Sequence, residues 1–269
     1  MESRNLIVRN NVRVSGDAPV TMIFAHGFGC DQNMWRLLTP AFASRFRLVL
    51  FDHVGSGRSD LSAYDRAKYD SLHGYASDVN ELLDEFANGP VIFVGHSVSA
   101  MIGMLADRAR PGRIVGHVMV GPSPCYVNDG DYVGGFQRSD IDELLATLEG
   151  NYLGWASSMA PAIMGVPERP ALSEELNNSF CRTDPEIAKQ FARVTFLSDH
   201  RQALPELDTP TLILQCSEDL IAPVEVGEYM HRVLPRSMLR IIDNVGHCPH
   251  LSAPSASTDA IEDFLREYA

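Results

Sequence analysis

The sequence predicts an α/β protein in which a mainly parallel β-sheet is covered by helices on both faces. Short apolar runs of strand length alternate with amphipathic helical patterns through most of the 269 residues. A composition of 45% hydrophobic and 21% charged residues supplies enough apolar side chains for a sizeable core. The alternation breaks once, in the middle of the chain, and this break predicts a helical insertion.

The predicted strands and helices alternate in units of the size that a parallel crossover requires. Buried strands are predicted for residues 20–25, 47–52, 91–94, 117–120, 211–215 and 238–242. Amphipathic helices are predicted for residues 33–42, 74–86, 100–109, 224–234 and 255–268.

The insertion lies between Val120 and Thr211, where residues 141–148, 172–180 and 185–196 have helical patterns with no strand between them. Ligands of an open parallel sheet bind beyond the carboxyl ends of its strands, so an insertion that leaves and returns there would cover the site. The other interpretation is a separate helical domain. It is disfavoured because no flexible linker flanks the segment.

Charge and cysteine content exclude several classes of function. The chain has 22 basic and 35 acidic residues, and a net charge of −13 repels nucleic acid and anionic membranes. No apolar run approaches the ~18 residues of a membrane span, and the amino terminus lacks the apolar stretch of a secretory signal. Five scattered cysteines without a C-x-x-C pair give little support to disulfides or structural zinc. We therefore expect a cytoplasmic protein with free thiols.

A serine on a turn between a strand and a helix is the candidate nucleophile. Strand 91–94 runs into residues 95–99 (GHSVS), and a helical pattern follows at once. This order is typical of the nucleophile elbow of the α/β-hydrolase fold, with Ser97 at its tip. So tight a turn strains the serine backbone and requires small residues two positions before and after it, here Gly95 and Ser99. Glycine is commoner at the second position, so the motif alone is weak.

An orienting carboxylate is expected after a later strand, followed in the chain by the histidine base. Asp219 closely follows the predicted strand 211–215 in the chain. Glu218 is its close competitor.

The candidate base is His247, which follows the predicted strand 238–242. Gly246 lets the loop turn back toward the serine. Of the nine histidines this one has the expected position, whereas His250 is expected to have a structural or surface role. The sequence therefore predicts a triad of Ser97, His247 and Asp219.

Backbone amides are predicted to stabilise the oxyanion. The loop after the first predicted strand, residues 26–29 (HGFG), is rich enough in glycine to turn its amides inward, and the helix behind Ser97 offers another. We expect the N–H groups of Phe28 and Val98 to form this oxyanion hole. The glycine-rich loop 52–60 is expected to pack nearby.

Two other kinds of site match parts of the sequence. Gly27-x-Gly29 and Asp52 imitate a dinucleotide site, but Gln32 takes the place of the third glycine, and the triad would remain unexplained. A metal held by His247, Cys248 and His250 is disfavoured because adjacent loop residues do not easily surround a tetrahedral ion. We expect neither a cofactor nor a metal.

Five motifs carry a family resemblance that extends from about Asn5 to the last helix. They are residues 26–32 (HGFGCDQ), 95–103 (GHSVSAMIG), 126–129 (YVND), 134–136 (GGF) and 246–250 (GHCPH). With these motifs the chain resembles the small α/β-hydrolases that include the bacterial stress regulator RsbQ and the plant karrikin and strigolactone receptors. The serine at position 99 resembles the residue of the plant receptors, whereas RsbQ has glycine there. The cysteine motifs near 125 and 248 are more similar to those of RsbQ.

The resemblance implies the same triad, a four-helix lid at residues 126–193 and a hydrolase core at residues 1–125 and 194–269. It also implies a small apolar pocket beneath the lid. Aromatic and apolar side chains suit a small hydrophobic ligand, although on lid helices they also serve as ordinary packing residues. The predicted lining is Phe28, His96, Tyr126, Phe136, Trp155, Met159 and Phe196.

Two functions follow from this site. One is a serine esterase or lactonase that cleaves a small hydrophobic ester, such as a butenolide, through an acyl-enzyme. The other is a signalling protein, as the resemblance implies, that binds and slowly hydrolyses a small ligand and then engages a protein partner.

Overall fold

Seven strands form a single sheet in the order β1-β3-β2-β4-β5-β6-β7. The computed structural model describes residues 2–268, with side-chain surroundings for residues 5–267. All neighbouring strands pair in parallel except β1, which runs antiparallel to β3. The strands are β1 (Arg13–Ser15), β2 (Thr21–Ala25), β3 (Arg47–Phe51), β4 (Val91–His96), β5 (Ile114–Val120), β6 (Thr211–Glu218) and β7 (Ser237–Val245).

Eleven α-helices lie in the described part of the chain. They are α1 (Glu2–Arg9), α2 (Thr39–Phe42), α3 (Leu72–Phe86), α4 (Val98–Ala109), α5 (Arg138–Gly150), α6 (Tyr152–Met164), α7 (Pro170–Arg182), α8 (Pro185–Phe196), α9 (Val224–Val233), α10 (Pro249–Ser252) and α11 (Pro254–Tyr268). Three short 3₁₀ turns lie at Gln32–Trp35, Leu61–Ala63 and Arg201–Glu206. No described helix combines the length and the apolar character that crossing a membrane requires.

The alternation of β2 explains why helices cover both faces of the sheet. Met22 and Phe24 point into a core shared with α11 and the inserted helices, whereas Ile23 and Ala25 point into a second core with α3 and α4. All five residues of β2 are buried, as expected for a parallel strand with two covered faces. The predicted fold class is confirmed.

Four of these helices, α5 to α8, lie between β5 and β6, and we call them the lid. Three correspond to the helical patterns read from the residues, and α6 corresponds to the fourth that the resemblance implied. Helix α8 ends at Phe196, so the predicted boundary after residue 193 falls inside a helix. The division into core and lid domains stays a prediction, and its residues 1 and 269 lie outside the described residues.

One predicted element was wrong in detail, and one strand was missed. The helix expected at residues 33–42 is a 3₁₀ turn, Gln32–Trp35, followed by the short α2, which has a proline in its first turn. Proline has no backbone N–H and cannot continue a helix from the preceding turn. The edge strand β1 was not predicted. Its three residues are all exposed, so they show no alternation of apolar and polar side chains.

Candidate active site

Ser97 lies in a strained backbone conformation at the carboxyl end of β4. Its φ of 55° and ψ of −123° are unusual for a residue other than glycine. Helix α4 starts at the next residue. A Cβ atom on Gly95 would lie 2.6 Å from the carbonyl oxygen of Ser99, which explains the small residue at this position. The strand, strained serine and helix have the geometry of a nucleophile elbow.

Three side chains from separate loops meet at this elbow. His247 Nε2 lies 2.9 Å from Ser97 Oγ, and His247 Nδ1 lies 2.7 Å from Asp219 Oδ2. These residues follow β4, β6 and β7, whose carboxyl ends share one edge of the parallel sheet. With the Nδ1 proton donated to the carboxylate, Nε2 has a lone pair directed at the serine hydroxyl.

The Asp219 carboxylate is fixed by the backbone that follows it. Its Oδ1 accepts from the amides of Ile221 at 2.8 Å and Ala222 at 3.2 Å, which leaves Oδ2 to face His247. The Asp219 side chain is fully buried. Its sequence competitor Glu218 ends β6 as an exposed residue.

Both the backbone amide and the backbone carbonyl of His247 are hydrogen-bonded. Its amide donates to the carbonyl oxygen of Ile163 in the lid helix α6 at 2.7 Å. Its carbonyl oxygen accepts from His96 Nε2 at 2.9 Å. Burial lowers the pKa of His96 well below its ordinary value, and the neighbouring His250 and His247 act in the same direction. His96 is therefore a neutral donor.

The two amides predicted for the oxyanion hole flank the elbow. Val98 is the first residue of α4, where an N–H has no acceptor within the helix. Phe28 lies in the turn after β2, and its amide makes no hydrogen bond with the described residues. The register that pairs Ala25 with Gly95 brings this turn beside the elbow.

A second serine, Ser99, explains why the elbow departs from the commoner glycine pattern. Its hydroxyl donates to the carbonyl oxygen of His26 at 2.5 Å and accepts from His53 Nε2 at 2.7 Å. The amide of His53 in turn donates to His26 Nε2 at 3.1 Å. This buried network ties the oxyanion turn and the glycine-rich loop 52–60 to the elbow. Sequence reasoning treated Ser99 only as a tolerated small residue.

A small apolar cavity opens onto the serine beneath the lid. Its lining comprises Phe28, Cys30, His96, Ser97, Tyr126, Leu144, Trp155, Met159, Ile163, Leu176, Phe180, Thr195, Phe196, Ile221, His247 and Cys248. Each of the four lid helices contributes to it. The volume of the cavity is only about 30 Å³, so a larger ligand requires lining side chains to move.

Six of the seven residues predicted for the pocket lie in this lining, and Phe136 does not. Phe136 lies outside because its backbone pairs with the segment at Tyr126, and its half-buried ring packs against the core. Phe180 was not among the predicted lining residues, yet it lines the cavity. Thr195 on lid helix α8 was also missed, because no periodic pattern shows which face of a lid helix meets the cavity.

Tyr126 places a hydroxyl beside the nucleophile. Its hydroxyl lies 3.4 Å from Ser97 Oγ, and its ring contacts Phe196 edge-on at 5.0 Å between centroids. Burial raises the pKa of Tyr126 to about 12. The hydroxyl is therefore protonated at neutral pH and can donate to an oxygen of a ligand.

Sequence comparison agrees with this geometry. A family model described as "Alpha/beta hydrolase family" matches residues 22–260, which include the elbow, Asp219 and His247. The chain belongs to this alpha/beta hydrolase family.

Several known proteins are similar to this chain over most of its length. The karrikin insensitive 2 receptor CA of Petunia hybrida is 39% identical over 246 residues, 91% of each chain. A strigolactone esterase of Pisum sativum is 35% identical over 259 residues, 96% of this chain and 97% of its own. The structure of a hydrolase from Oleispira antarctica has a TM-score of 0.93 and 43% identity, covering 98% of this chain and 97% of that one. The resemblance to karrikin and strigolactone receptors is confirmed.

His250 in this alpha/beta hydrolase is a buried residue, so of the two roles expected for it, structural or surface, the structure supports the structural one. Its ring packs against Trp35 at a tilt of 36°, with the centroids 4.8 Å apart, and lies 4.6 Å from the ring of His96. His96, Cys248 and His250 present ligand atoms within 4.8 Å of one another. Tetrahedral zinc bonds of about 2.0 to 2.3 Å place ligand atoms closer than that upper limit, so the absence of a metal stays our expectation.

In the sequence, Asp52 resembled the acidic residue of a dinucleotide site. In the structure its carboxylate is hydrogen-bonded to other parts of the protein. Its carboxylate accepts from the amides of Gln32 at 2.8 Å and Arg58 at 2.9 Å, and from the side chain of Asn11 at 2.7 Å. These bonds hold two loops beside the elbow. Both carboxylate oxygens therefore already accept hydrogen bonds from the protein itself.

Proposed function

We propose that the chain is a serine hydrolase that cleaves a small hydrophobic ester or lactone. The observation that carries this proposal is the unbroken relay from Ser97 Oγ through the imidazole of His247 to Asp219, at 2.9 and 2.7 Å. A serine hydroxyl is a weak nucleophile by itself, and a base within hydrogen-bonding distance is what activates it.

In the first half-reaction Ser97 Oγ attacks the carbonyl carbon while its proton passes to His247 Nε2. The amides of Phe28 and Val98 would bind the oxyanion that forms. When the intermediate collapses, the bond to the leaving oxygen breaks and His247 returns its proton to that oxygen. With a lactone, the released hydroxyl stays attached to the acyl group.

Water completes the reaction through the same base. His247 takes a proton from water, the hydroxide attacks the acyl-serine, and Ser97 leaves with the proton from His247. The products are a carboxylic acid and an alcohol, or one hydroxy acid from a lactone. Neither a cofactor nor a metal enters this scheme.

The cavity supports an apolar substrate of modest size. Aromatic rings of Phe28, Trp155 and Phe180 contact one another with centroids 5.3 to 6.1 Å apart and form much of its wall. Such a wall gains free energy by taking apolar surface out of water. Tyr126 adds one hydroxyl close to the reacting serine.

Turnover of p-nitrophenyl acetate and of a simple butenolide by the parent and by Ser97→Ala tests the proposal. We expect the variant to bind and to lose turnover by several powers of ten. Mass spectrometry of the parent's acyl-enzyme, trapped during turnover, should find the acyl group on Ser97. If the alanine variant cleaved the ester as fast as the parent, Ser97 would not be the nucleophile.

A second function, a signalling receptor that hydrolyses its ligand slowly, is favoured by the 39% identity to a karrikin insensitive 2 receptor. Its small ligand and a signalling protein partner are part of this second proposal, as is a cytoplasmic location. Many turnovers of a butenolide per chain support metabolism. A single slow turnover, together with a ligand-dependent shift of Tm, supports sensing.

A further inference from the structure

Thr195 lines the cavity and has an unpaired side-chain hydroxyl. Its Oγ1 is buried and has no hydrogen-bond partner among the described residues, although the residue lines the pocket. Thr195 itself is only 1% exposed. A buried donor without a partner is unfavourable, so such groups in folded proteins call for an explanation.

A threonine hydroxyl in a helix can bond to the carbonyl oxygen three or four residues earlier. Thr147 in lid helix α5 does so, with its hydroxyl 2.9 Å from the carbonyl oxygen of Glu143. Thr195, in lid helix α8, makes no such bond with the described residues. Its hydroxyl is therefore available to something in the cavity.

The other two hydroxyls of the lining already have partners. Ser97 contacts His247, and Tyr126 contacts Ser97. Thr195 stands apart from them on the lid, next in the chain to Phe196, whose ring packs on Tyr126. A ligand with its carbonyl at Ser97 therefore meets an unused donor on the lid side of an otherwise apolar cavity.

We propose that Thr195 donates a hydrogen bond to a second oxygen acceptor of the ligand, remote from the scissile carbonyl. This inference rests on the proposed function. It narrows the substrate class to small esters or lactones that carry an ether, carbonyl or ring oxygen in addition to the one that reacts. Ligands that lack the second acceptor leave the hydroxyl buried and unpaired.

The test compares two substrates of nearly equal shape, methoxyphenyl acetate and ethylphenyl acetate, each as its 3- and 4-isomers. The measured quantity is the ratio of kcat/KM for the methoxy ester to that for the ethyl ester. Because the same ratio is taken in each protein, differences in intrinsic reactivity cancel. The proteins are the parent, Thr195→Val, Thr195→Ser and the control Thr147→Val.

We expect Thr195→Val to lower this ratio about three- to tenfold for at least one isomer, the effect of one neutral hydrogen bond. Thr195→Ser and Thr147→Val should keep the parental ratio. Since valine removes an unpaired donor, the Tm of unliganded Thr195→Val should equal or exceed the parental Tm. Unchanged ratios for both isomers, or a Tm several degrees lower, would overturn the proposal.

Binding separates this inference from the proposed function. Calorimetric titration of the parent and of Thr195→Val with methoxyphenol and ethylphenol measures the same preference without any reaction. If the parent binds the methoxy compound better and the valine variant does not, the role of Thr195 stands even where no ester is cleaved. Equal preferences in both proteins overturn it even where hydrolysis proceeds.

Discussion

His96 Nε2 donates to the carbonyl oxygen of His247 at 2.9 Å, so the residue before the proposed nucleophile holds the backbone of its proposed base. The rings of the two histidines are 4.9 Å apart. Because residue 96 belongs to β4 and precedes Ser97 directly, any displacement of the elbow would be passed to His247. His96 thus has a positioning role in addition to lining the cavity.

Replacing His96 with phenylalanine removes this donor and keeps a ring. We expect kcat to fall about tenfold, since a buried carbonyl left unpaired costs on the order of 1 to 3 kcal/mol and allows His247 to shift. His96→Gln, which restores an N–H donor, should recover part of the loss. Steady-state kinetics checks the prediction. A change confined to KM would show that His96 serves only the pocket.

The two acids that compete in the sequence can be separated by amide variants. In Asp219→Asn the side-chain amide favours the histidine tautomer that carries its proton on Nε2, so kcat should fall by about 10³- to 10⁴-fold. Glu218→Gln should leave kcat within about twofold of the parent, because an exposed charge outside the site contributes little. Circular dichroism and Tm establish that both variants are folded. Comparable losses in the two variants would contradict the assignment.

The sequence was informative about the triad because of a property of parallel sheets. Residues that directly follow parallel strands lie along one edge, so the order of the motifs sufficed to bring Asp219 and His247 to Ser97. The strained turn also has a residue signature in Gly95. No long-range information beyond strand direction was needed for these positions.

Other features of the structure depend on tertiary contacts, which leave no recognisable pattern in the local sequence. Helix α6 is apolar along most of its length and contains Pro161, so its pattern lacks the alternation of an amphipathic helix. Ser99 was recognised as small, but its bridge between His26 and His53 depends on two loops from distant parts of the chain. Thr195 was overlooked because an orphaned hydroxyl is visible only when its surroundings are known.

Gly246, in the loop of His247, lies at a position where a side chain would not fit. Its φ is 101°, and a Cβ atom would lie 2.1 Å from the carbonyl oxygen of Met164 at the end of lid helix α6. We expect Gly246→Ala to lower the free energy of unfolding by about 2 to 4 kcal/mol, measured by urea denaturation.

Gly112→Ala is the matched control for this variant. Gly112 also has a positive φ, 87°, but its Cβ would meet nothing within 4 Å, so it reports the strain without the clash. Its loss should be clearly smaller. Gly246→Ala should also reduce kcat, because the amide of His247 bonds to Ile163 in the same helix. Equal losses of stability in the two variants would show that the contact with Met164 is unimportant.

The buried imidazole of His250 makes stability depend on pH. Burial lowers its pKa to about 3, with smaller contributions from His247 and Arg36. In the unfolded chain an ordinary histidine binds a proton below a pKa of about 6.5. Between pH 6.5 and 3 the unfolded state therefore binds more protons than the folded state, and stability falls as the solution becomes more acidic.

His250→Phe removes this proton uptake and keeps a ring against Trp35. Neither ring nitrogen of His250 has a hydrogen-bond partner among the described residues, so the variant should be within about 1 kcal/mol of the parent at pH 8. Between pH 7 and 5 the parent should lose about 2 kcal/mol of unfolding free energy relative to the variant. Urea denaturation at each pH measures the difference. Parallel losses in both proteins would mean that His250 is protonated in the folded state, and that the packed rings of His96, His250 and Trp35 tolerate a buried charge.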